Sequence, residues 1–199
     1  MSRIVRPLSL ALFLLGTVAV QGASSLSLVE GISAAELFPW ATFDASIPTQ
    51  EAATGVTPGS RPLRHEEVIR YFEALAESSP RATLQTYAHS HEGRPLVLLA
   101  VSDAETIADL EGFRRAHAQR MDPRGRSDSE DAGAIEGAKA VAWMAYGIHG
   151  NELSSTDAAA SLAYWLIAGE DERARSLRED LVVLIDLSLI HISEPTRHI

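Results

Sequence analysis

The clearest periodic stretch runs from His65 to Ser78, where Val68, Ile69, Phe72, Leu75 and Ala76 recur at helical spacing and Pro80 follows. That pattern predicts an amphipathic helix with a defined stop. Ala82 to Ala88 sets Leu84 and Thr86 against Thr83, Gln85 and Tyr87, which suits a strand. Pro95 to Ser102 is a continuous apolar run. The polar turn His91-Glu92-Gly93-Arg94 between the two allows a hairpin. Ala104 to Arg120 predicts a second helix. Met121 to Gly137 lacks apolar periodicity and reads as a surface loop. Ala138 to Tyr146 is apolar enough to be a strand buried on both faces. Ser154 to Ala168 predicts a third helix, with Ser154 and Asp157 spaced as a capping box and Gly169 as its stop. Leu181 to Asp186 is a last short buried strand. Strands buried on both faces, alternating with helices, indicate an α/β protein with a largely parallel or mixed sheet. Between Ser24 and Gly59 the pattern gives no regular element, but Phe38, Trp40 and Phe43 could dock on a domain surface.

The 199 residues carry a formal net charge of −10. An acidic chain is a poor match for nucleic acid, which needs clustered Lys and Arg. There are no cysteines, so disulfides, thiolate metal sites and a cysteine nucleophile are excluded. A transition-metal site would have to be built from His and carboxylates. Arg3 and Arg6 precede an apolar run from Leu8 to Val20, and Gly22-Ala23-Ser24 follows. That is the layout of a secretory signal peptide over residues 1–23, and it implies export to the periplasm or the medium. The run is short for a membrane span, so no stable membrane partner is expected. An uncleaved N-terminal anchor is the competing reading.

The chemistry is concentrated in Tyr146-Gly147-Ile148-His149-Gly150-Asn151-Glu152, between a predicted strand and a predicted helix. Ligands bind where strands of an α/β sheet end and helices begin. Catalytic zinc commonly takes two His and one carboxylate. His149 and Glu152 could supply one of each. On spacing alone, a His with a Glu three residues on is as compatible with a satisfied histidine and a glutamate favoured at a helix N-terminus. His65 reads as solvated and His117 as exposed, whereas His89 and His91 lie on opposite faces of a strand end, where at most one could face such a site. Asp128, Glu130 and Asp131 lack calcium-loop spacing. No Gly-x-Ser-x-Gly elbow is present.

Gly147-Ile148-His149-Gly150-Asn151-Glu152 after an apolar strand, with Ser90-His91-Glu92-Gly93-Arg94-Pro95-Leu96 upstream, resembles the signatures of M14 zinc metallocarboxypeptidases. The resemblance covers roughly residues 43 to 186. It implies a three-layer α/β/α sandwich with a mixed central sheet, truncated, and one Zn2+ ion. Within it His149 and Glu152 match the first two metal ligands, and Glu92-Gly93-Arg94 matches a structural turn. It also implies that the second zinc histidine, the substrate-carboxylate Asn and Arg residues and the glutamate base lie beyond Asp186. No catalytic residue is then visible here, and the substrate-binding residues are unknown. The implied substrates are peptide or protein C-termini. A zinc amidohydrolase or deacylase of the same fold, or a secreted non-catalytic binding module, remains an alternative.

Leu187 to Arg197 reads Leu-Ser-Leu-Ile-His-Ile-Ser-Glu-Pro-Thr-Arg, which resembles the translation of a transposase adapter used in sequencing libraries. The expected organisation is a signal peptide (1–23), an N-terminal extension (24–59), a partial carboxypeptidase domain (60–186) and adapter read-through (187–199). His191 and His198 are accordingly not counted as ligands.

Overall fold

The computed structural model describes residues 30–122, 124, 127, 135–149 and 153–187. The expected signal peptide, the Asp128, Glu130 and Asp131 cluster, Glu152 and everything after Leu187 lie outside these residues.

Helix α3, His65–Ser78, forms where the apolar spacing predicts it. It turns Val68, Tyr71, Phe72 and Leu75 inward, and Phe72 and Leu75 are wholly buried. Each such side chain contributes about 1.5–3 kcal/mol of transfer free energy. Glu67 closes the first turn by accepting the Arg64 N–H at 2.8 Å and two Arg61 bonds at 2.8 and 2.7 Å. Strands β1 (Ala82–His89) and β2 (Pro95–Val101) form the expected hairpin. Its turn is fixed by bonds from Ser90 N–H to the Arg94 carbonyl and from Gly93 N–H to the Ser90 carbonyl.

Strands β3 (Ala140–Ala145) and β4 (Leu181–Leu187) complete a four-stranded sheet of order β1-β2-β4-β3. The β2–β4 pair is antiparallel and the β3–β4 pair parallel, so the sheet is mixed. Leu99 lies opposite Ile185, and Val97 opposite Leu187. These residues face one core together with α3 and α6 (Leu153–Ala168). On the other sheet face, Leu98, Val141, Val182 and Leu184 line an open pocket together with Leu110, Phe113 and His117 of α5 (Leu110–Arg120). The protein is therefore an α/β/α sandwich built on a mixed sheet. Helix α7 (Glu172–Asp180) leads into β4, and its buried Arg178 donates to the Leu166 and Gly169 carbonyls at the end of α6. No helix among the described residues is long and apolar enough to cross a membrane.

Several expectations need correction. The predicted helix Ala104 to Arg120 is two helices, α4 (Ala104–Ala108) and α5. Asp109 breaks the run because its carboxylate accepts the Gly112 N–H at 3.0 Å, starting a new helix instead of extending the old one. The strand expected to be buried on both faces is largely exposed: Trp143 keeps 68% of its surface and Met144 36%. Among the described residues β3 pairs only with β4, so it is an edge. An apolar run alone does not distinguish an edge strand from a central one. Ser154 lies inside α6 and not ahead of it, and Asp157 accepts the Leu63 N–H at 3.0 Å instead of closing a capping box.

The segment before α3, left without elements by its pattern, holds two short helices, α1 (Ala34–Leu37) and α2 (Gln50–Thr54). Ser33 and Thr49 cap them by accepting the Glu36 and Ala52 N–H groups.

Candidate metal centre

Strand β3 delivers His149 to the rim of the sheet. The β3–β4 ladder extends one step past the strand, with Tyr146 N–H donating to the Asp186 carbonyl at 2.9 Å. Gly147 then adopts a left-handed φ of 69°, a conformation that costs other residues about 1–2 kcal/mol. Its N–H donates to the Ser155 hydroxyl, in the first turn of α6, at 3.0 Å. The end of β3 is thus tied to the start of α6, and Ile148 and His149 stand between them, both exposed. Glu152, the second expected ligand, precedes Leu153 at the head of α6 and lies outside the described residues.

Four contributors at this end of the sheet were not singled out by sequence reasoning: Ser155, Asp186, Tyr87 and Trp143. Asp186 is 4% exposed at the end of β4. Its carboxylate accepts from the Tyr87 hydroxyl at 3.1 Å and from the Trp143 indole at 3.2 Å. Tyr87 reaches it from β1, two strands away. The register slips between Thr86 and Ala88, and a bulge of this kind re-aims the extra side chain. The only sequence signal for Asp186 is an acid ending an apolar strand. Nothing local announces its two donors.

The remaining histidines distribute as follows. His89 and His91 are exposed around the hairpin turn, which closes at the same end of the sheet as His149. His117 is not the exposed residue expected: it is half-buried and stacks on Phe113 at 5.8 Å. His65 is not solvated either. Its Nε2 is buried without a hydrogen-bond partner, its ring bonds the Pro95 backbone, and burial pushes its pKa below the usual histidine value. Asp157 is half-buried, and desolvation raises its pKa despite the Leu63 bond.

Among the described residues no three His, Asp or Glu side chains gather into a metal-binding group. The fit to zinc rests on the donor chemistry of one exposed imidazole on a rim, held by a turn that only glycine adopts freely, with a carboxylate three residues on in sequence.

A family model described as zinc carboxypeptidase, Peptidase M14, matches residues 68–189. Among solved structures, the crystal structure of thrombin activatable fibrinolysis inhibitor aligns with a TM-score of 0.43 and 17% identity. The alignment covers 69% of this chain and 29% of that one, so the chain spans less than a third of that protein's length. No match is found among curated proteins.

Proposed function

Since the chain belongs to the zinc carboxypeptidase family, we propose that it is the N-terminal part of an exported, zinc-dependent enzyme that removes C-terminal residues from peptides. His149 and Glu152 are its first two metal ligands. The observation that carries this is the position of His149: exposed, past the end of a sheet strand and four residues before the start of α6.

When bound there, zinc supplies Lewis acidity toward a peptide carbonyl and an activated water. The chain's own residues prepare the place. Gly147 turns the backbone out of the sheet, and Ser155 holds that turn against α6. Asp186, gripped by Tyr87 and Trp143, fixes the strand end from which the turn departs. A His and a Glu make two of the three protein ligands that such a site uses. On this reading the third ligand, the carboxylate-binding arginines and the proton-transferring glutamate come from sequence beyond Asp186.

The test is zinc titration of the 199-residue chain beside His149→Ala and Glu152→Ala, with hydrolysis of an N-blocked peptide followed in parallel. The expected result is weak zinc binding that either substitution removes, and no turnover. A longer chain carrying the rest of the domain should turn over, and His149→Ala should abolish that. Zinc binding indifferent to both substitutions would sink the proposal.

A further inference from the structure

The last six residues of α6 are apolar or aromatic on every side. Ala163, Tyr164, Trp165, Leu166, Ile167 and Ala168 are all buried in succession. A helix buried all round needs cover on both flanks. The sheet and α3 provide one cover, and the segment before α3 provides the other.

Phe38 stacks on Trp165 with centroids 5.6 Å apart and planes at 11°, and Phe43 stacks on Tyr164 at 5.0 Å and 23°. Around Phe43 the segment also bonds through its backbone. Asp44 N–H donates to the Ala168 carbonyl, and Glu170 N–H to the Thr42 carbonyl, both at 2.8 Å. Phe43 and Gly169 thereby form a short antiparallel bridge. Gly169 permits the tight end of α6, because a Cβ there would fall 2.4 Å from the Trp165 carbonyl oxygen. The Arg173 guanidinium of α7 covers Trp40 at 5.3 Å from the ring centre. Farther along, Ile47, Val56 and Leu63 are 4%, 4% and 7% exposed and belong to the same core as Phe72 and Ile167.

We propose that residues 30–63 form a permanent strap, an integral part of the folded domain, and are neither a linker nor a segment removed to activate the protein. The strap contributes core residues, ring stacks and ladder bonds. Its departure would uncover Tyr164 and Trp165 and open the core beside α3. This inference stands whether or not His149 holds a metal.

The test inserts a site-specific protease sequence between Gly59 and Ser60 of the full chain, where the backbone turns at the surface. After cleavage the two pieces should co-elute on size exclusion and separate only in denaturant. If they separate in native buffer, the remainder should lose its cooperative melt. The double variant Phe38→Ala/Phe43→Ala, left uncut, should raise the rate of thermolysin digestion about tenfold or more, as a loss of this much burial implies. A released segment with the remainder still melting cooperatively at the parent temperature overturns the proposal. So does a double variant with unchanged digestion and melting.

Discussion

At the scale of single residues, Glu67 shows how one carboxylate ties stability to pH. The Arg61 guanidinium holds the Glu67 carboxyl down at about 2, helped by the Arg64 N–H and opposed by burial. A carboxyl whose pKa falls on folding contributes stability above its ordinary value near 4.5 and loses it as the pH drops toward about 2. Urea midpoints measured from pH 7 to pH 2 should therefore fall across that window, and Glu67→Gln should flatten the fall. The same substitution should cost about 1–2 kcal/mol at pH 7, the lower end being favoured because the Arg61 side chain is 45% exposed. His149 was legible in the sequence because its signal is local: a strand, a glycine turn, a histidine and a carboxylate in one short run. Asp186, Tyr87 and Trp143 were not. They meet only because β1 carries a bulge and β4 lies between β2 and β3, and neither fact is written in the neighbourhood of any of the three.

At the scale of elements, α3 was readable to its boundaries because a helical period, a buried face and Pro80 agree with one another. Leu75, fully buried in its C-terminal half, is the residue on which that face turns. Leu75→Ala should destabilise by about 3 kcal/mol through lost burial and the cavity left behind, measurable as a lowered urea midpoint at unchanged slope. The misread elements failed for physical reasons. Asp109 splits one expected helix into two because its side chain caps the next turn better than its backbone continues the last. Strand β3 looked doubly buried because alanines and large apolar residues follow each other, yet burial depends on how many neighbours the strand has. The segment holding α1 and α2 was opaque because its order comes from distant aromatic partners on α6 and not from any period of its own.

At the scale of the whole molecule, β3 is paired on one side only among the described residues, and Trp143, Met144, Ile148 and Leu153 leave apolar surface on or near it. Unpaired edges with apolar neighbours promote association. Light scattering on the 199-residue chain should show mass rising with protein concentration, and Met144→Lys should suppress the rise while leaving the melting temperature within a few degrees. The order β1-β2-β4-β3 carries a further consequence. Strand β4 is made last of the four, yet it occupies an interior slot and contacts both β2 and β3. As the chain leaves the ribosome, the hairpin and α3 can associate early, whereas β3 has no described strand to join until β4 emerges. For that interval β3 and the Tyr146 to His149 turn await their partner, so among the described strands the rim proposed to hold the metal is the part that synthesis completes last.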